Sequence, residues 1–102
     1  MLPKNYQHFQ ETLQGEHPPH EWPDGLKAMW FDAKGNWNAS HDIAQDMHTN
    51  MGSWIHAYLH RKEGDEWNAG YWYRRANKVF PKNTQEEELK DIVEDILIST
   101  VY

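Results

Sequence analysis

The chain has 102 residues, a formal net charge of −6 and no cysteine. That length suits one domain with one core, and the missing thiols exclude disulfides, thiolate catalysis and cysteine-ligated zinc and fit a reducing, cytoplasmic setting. The acidic balance argues against non-specific nucleic-acid binding, which relies on neutralising phosphates. Apolar residues make up 38%, below the roughly 45–50% of an average domain, a range that also counts glycine. Six tryptophans offset the shortfall, because large rings bury much area per residue. The opening MLPKNYQHFQ has no signal-peptide apolar run, and no segment approaches the ~18 apolar residues of a membrane span.

Helices are expected over 3–14, 24–34, 36–48, 50–63, 65–78 and 84–99. Gly15, Gly35 and Gly64 stand at the ends of three of them, and the proline-rich EHPPHEWPD follows the first as a loop. Asp24, Asn36, Asn50, Asp65 and Thr84 stand where a side-chain oxygen caps free N–H groups, and Thr84 with Glu87 has capping-box spacing. In the fourth segment Met51, Trp54, Ile55, Tyr58 and Leu59 form an apolar face. In the fifth, Ala69, Trp72, Tyr73, Ala76 and Phe80 do so if the turn continues to Phe80. In the sixth, Leu89, Ile92, Val93, Ile96 and Leu97 form one stripe, while Glu86, Glu87, Glu88, Asp91, Glu94 and Asp95 are expected on a solvated face. Nothing alternates long enough to demand a strand.

Two segments repeat one plan of helix, glycine, polar cap and helix: AMWFDAKGNWNASHDIAQDM and AYLHRKEGDEWNAGYWYRRA. Their glycines lie 29 residues apart, and Trp-Asn-Ala follows each with a displacement of one residue. From Gly64 to Pro81, GDEWNAGYWYRRANKVFP resembles the second half of a tetratricopeptide repeat. Gly64 and Asp65 match its turn, Ala69 and Ala76 its small residues, Tyr73 its aromatic and Pro81 its terminating proline. The first copy departs from that pattern, with Ser40, Ala44 and Met47 at the corresponding places, and the period is shorter than the usual ~34 residues. From Trp30 to Ala76 the chain also resembles a family of short, uncharacterised and mainly microbial proteins with an AKG-W and HAYLHRKEGD-NA-YWYRRA pattern. That likeness bears on fold and brings no activity with it. The expected architecture is all-α: a single domain, 1–102, of antiparallel helical hairpins stacked as a short tetratricopeptide-like right-handed array. Residues 24–48 form the first hairpin and 50–81 the second, with 84–99 a C-terminal cap and the N-terminal helix a cap at the other end.

Two functional readings follow. Trp67, Tyr71, Arg74 and Lys78 share a narrow sector of one helix with Arg75 close by, an aromatic and basic face suited to an acidic protein or peptide. The competing view is that the two rings pack on the preceding helix and that the acidic last helix covers the cations. This reading makes the chain a non-enzymatic interaction module without a cofactor. The alternative is a divalent-metal protein, of hydrolase type if it has an activity, in which zinc is held by His41, His56, His60 and Glu63. His56 and His60 are i and i+4 on one helical face, Glu63 extends their stripe, and His41 and His48 share a face with Trp37 on the preceding helix. HAYLH lacks the glutamate of H-E-x-x-H, so no metalloprotease is indicated; the competing view is that the imidazoles hydrogen-bond to Asp42 or Glu63. There is no phosphate-binding glycine loop, no nucleophile elbow and no assignable catalytic residue.

Overall fold

A computed structural model describes residues 1–101. Glycine and asparagine geometry sets its rhythm. Gly35 and Gly64 take φ of 87° and 89°, the left-handed conformation that closes a helix. In both hairpins the second residue of the turn bonds back across it, Asn36 N–H to the Phe31 carbonyl and Asp65 N–H to the His60 carbonyl. The same side chains then cap the next helix, Asn36 accepting from Ala39 N–H and Asp65 from Asn68 N–H. One polar residue thus ends one helix and begins another.

Among the described residues six α-helices result: α1 (Tyr6–Glu11), α2 (Asp24–Ala33), α3 (Trp37–Asp46), α4 (Asn50–Lys62), α5 (Glu66–Arg75) and α6 (Gln85–Val101). There is no strand among the described residues. The fold is all-α, with α2 on α3, α3 on α4 and α4 on α5, while α6 returns against α1, α2 and α4. The expected ends shift by a few residues. Helix α1 begins at Tyr6 because Asn5 caps it, and continues as a 3₁₀ turn over Thr12–Gln14. Gly15 follows in extended backbone, not left-handed. Thr49, not Asn50, caps α4 by accepting from Gly52 N–H, and α5 ends at an Asn77 with φ of 61°. Thr84 and Glu87 bond reciprocally at the start of α6.

The core joins rings to small side chains. Trp30, Tyr58 and Tyr73 are buried beside Ala28, Ala57, Ala69 and Ala76, with Leu26, Ile55, Leu59, Ile92 and Val93 between them. Phe80 lies beyond the end of α5 yet still meets the Tyr73 ring at 5.0 Å. Trp22, in the proline loop, is buried against Phe9. Glu88 departs from the expected solvated face. It is 2% exposed, and its carboxylate accepts from Trp54 Nε1, Tyr73 Oη and Arg61 Nη1 at 2.7–3.0 Å. Asp32, equally buried, accepts from Tyr58 Oη at 2.8 Å and Lys62 Nζ at 2.9 Å. These carboxylates tie α4 to α6 and α2. Burial, with the neighbouring carboxylate, pushes both tyrosine hydroxyls well up, so each stays a donor.

Candidate metal centre between α3, α4 and α5

Two anchors set the distance between α3 and α4. Trp37, in the first turn of α3, donates its indole N–H to the Leu59 carbonyl at 2.9 Å. At the other end, Gly52 lets the C-terminal end of α3 approach α4: a Cβ there would lie 2.7 Å from Met47 Cβ. Between these anchors, His41 of α3 faces His56 and His60 of α4. Ring centroids are 4.5 Å apart for His41–His56, 5.5 Å for His41–His60 and 4.9 Å for His56–His60. Each ring offers a nitrogen, and the three nitrogens lie within 4.8 Å of one another.

Aromatic walls hold the cluster. His41 stacks on Trp37 at 4.8 Å, and His56 stacks on Trp72 of α5 at 3.9 Å. His56 is 6% exposed, while His41 and His60 are partly buried. Burial, and then the neighbouring imidazoles His41 and His60, lower the His56 pKa from 6.5 to about 4. His41 is lowered too, by burial first and His60 second, against the opposing pull of Asp42 and Glu63. Both rings are therefore neutral at pH 7, the form that offers a lone pair.

Only one ring of the three has a hydrogen bond among the described residues. His60 Nδ1 meets Glu63 Oε1 at 2.6 Å, so a neutral His60 donates from Nδ1 and keeps Nε2 as its lone pair. That is the arrangement in which a carboxylate orients a metal-ligating imidazole. Glu63 can serve the site in that way, or directly, since His60, Glu63 and Asp65 form a second ligand-bearing group. Tetrahedral zinc with N at about 2.0–2.1 Å needs nitrogens about 3.3 Å apart. The cluster has to contract by rotamer adjustments of the order of 1 Å, and three nitrogens leave a fourth position open.

The aromatic and basic face is dispersed rather than convergent. Trp67 is 78% exposed and does not pack on the preceding helix. Tyr71 is 37% exposed and sits beside the Arg75 guanidinium, which also lies 5.3 Å from the Trp72 ring. Arg74 is exposed, and Lys78 turns across to place its ammonium 4.1 Å from the Trp54 ring centroid. Arg74, Arg75 and Lys78 have no carboxylate partner among the described residues, so the acidic face of α6 does not cover them. Sequence reasoning passed over Trp72 as a wall of the histidine cluster; its i+4 relation to Ala76 read only as core. No family model matches the chain, and no curated protein or solved structure matches it.

Proposed function

We propose that this protein binds a divalent metal ion of the zinc type through His41, His56 and His60, with Glu63 orienting His60. The observation that carries the reading is three imidazoles, from two helices, meeting with Glu63 as their one hydrogen-bond partner among the described residues. Stacked rings do not satisfy a nitrogen lone pair, and one nitrogen from each of the three rings converges within 4.8 Å of the others. A cation would satisfy all three. With three protein ligands, the fourth position is free for water or a substrate oxygen, as in hydrolytic zinc sites. The test is metal content after purification without a histidine tag, followed by calorimetric zinc titration of chelator-treated protein. One equivalent per chain is expected, with loss of binding in His60→Ala. A protein that neither retains nor takes up zinc, with unchanged Tm on zinc addition, would contradict the reading.

A second reading is favoured by Trp67, a tryptophan left 78% exposed on a helix whose Arg74 and Arg75 have no acidic partner among the described residues. We infer that Trp67, Tyr71, Arg74, Arg75 and Lys78 dock an acidic protein or peptide, in the manner of a short tetratricopeptide-like array in the cytoplasm. The repeated glycine-and-cap turns and the absence of cysteine support that setting; no helix among the described residues is long and apolar enough to cross a membrane. Arg74→Glu is expected to abolish capture of an acidic peptide at unchanged Tm; a lowered Tm would make the arginine structural.

A further inference from the structure

A groove of about 480 Å³ opens beside the histidine cluster, where the end of α3, the start of α4 and the side of α5 meet. Its walls include His48, Thr49, Ser53, His56, Trp72 and Arg75. Among the described residues no carboxylate lines it, although the chain carries sixteen Asp and Glu against ten Lys and Arg. The N-terminus of the thirteen-residue α4 faces this space through Thr49 and Asn50. Thr49 Oγ1 accepts from Gly52 N–H and the Thr49 carbonyl from Ser53 N–H. Among the described residues the N–H groups of Asn50, which lines the groove, and of Met51, whose side chain lines another cavity, have no partner, and both lie at the positive end of the helix dipole.

Two side chains also line the groove. Arg75 has no acidic partner among the described residues; its guanidinium rests over Tyr71 and Trp72 and makes a 3.3 Å bond to Tyr71 Oη. His56 is more than nine-tenths buried, borders the groove and makes no hydrogen bond through its ring among the described residues. One of its nitrogens can serve the cluster while the other serves the groove. Ser53 adds a hydroxyl donor. Free helix N–H groups, a guanidinium without a counter-ion and a buried imidazole, with no competing carboxylate, are what an oxyanion needs.

We propose that this groove binds a small tetrahedral oxyanion, free phosphate or the phosphoryl group of a small monoester, between Arg75 and the N-terminus of α4. The site does not require a metal at the cluster, so the two readings fail separately. The test is titration of chelator-treated, ¹⁵N-labelled protein with inorganic phosphate at constant ionic strength, followed by amide chemical shifts. Saturable shifts are expected at Asn50, Met51 and Ser53. Arg75→Met should weaken binding about tenfold, the loss of one charge-assisted contact. Arg74→Met should bind as the unsubstituted chain does, because Arg74 lies along the same helix over Gly70 and outside the groove. A parallel series with glycerol phosphate separates the sources: binding at least as tight as phosphate assigns a monoester, weaker binding the free ion. Arg75 is exposed and its replacement leaves the core intact; Ser53→Ala supplies an independent weakening from the opposite wall. Shifts that rise without saturating, or equal responses in Arg74→Met and Arg75→Met, overturn the proposal.

Discussion

Helix α4 carries polar groups on two opposite sides, and the protein treats them differently. Toward α2 and α6 lie Asp32 and Glu88, each almost fully buried and each holding several donors from Trp54, Tyr58, Arg61, Lys62 and Tyr73. Arg61 also bonds the Asn83 carbonyl, so the cation is held as firmly as the carboxylate. Toward α3 and α5 lie His41, His56 and His60, enclosed by Trp37 and Trp72 and sharing one hydrogen bond to Glu63. A saturated buried network leaves nothing for a ligand to gain, and breaking it is costly. A cluster of imidazoles with a single hydrogen bond among them is the reverse: it contributes little to the fold and is open to an electrophile. The difference separates residues that hold the helices from residues that are free to bind.

The sharpest break of that comparison is on the saturated side. Glu88→Ala leaves Tyr73 and Trp54 without an acceptor in a buried place and Arg61 with only the Asn83 carbonyl, and should lower unfolding free energy by about 3–5 kcal/mol in urea titrations. A loss below about 1 kcal/mol would mean that the network is not structural. On the open side the sign reverses. Zinc at a hundredfold excess over its Kd should raise stability by about 2.7 kcal/mol, read as a shift in the urea midpoint that His41→Ala removes. Glu63→Gln should weaken zinc about 10–100-fold while leaving the chelator-treated protein as stable as before.

The third effect is acidity. The unfolded chain protonates His56 near 6.5 and the folded chain only near 4, so the unfolded state binds more protons in that window. Stability in chelator should therefore be complete above about pH 6.5 and fall as pH drops toward 4, and His56→Phe should flatten that limb. An unchanged acid limb in the variant would remove His56 as its cause. The smallest effect is at the exposed face: Trp67→Ala should change stability by no more than about 0.5 kcal/mol, because the residue is 78% exposed.

The two sides of α4 were not equally legible in the sequence. The i and i+4 relation of His56 and His60 follows from helix geometry alone, and so does the i, i+4 stacking of Trp37 and His41. What brings His41 across is tertiary, the Trp37–Leu59 bond at one end and the close approach at Gly52 at the other. The glycine in HTNMGSW, lacking a Cβ, permits a close crossing but does not say which helix crosses. Glu88 was lost in the run Glu86–Glu87–Glu88, where composition spoke for solvent. Its place one turn before Ile92, on the apolar stripe, was the signal that could have found it. Trp22 stands in a proline loop with no periodicity, so no pattern marked it as core. The hairpin turns were legible throughout, because Gly-Asn and Gly-Asp combine a left-handed residue with a cap.

The central claim is that the three imidazoles are ligands and not merely packed rings. X-ray absorption at the zinc edge of the loaded protein tests it most directly. The account predicts three imidazole nitrogens at about 2.0–2.1 Å, with one scatterer lost in His56→Ala. A shell of oxygens alone, or the same spectrum from His41→Ala, His56→Ala and the unsubstituted chain, would contradict it.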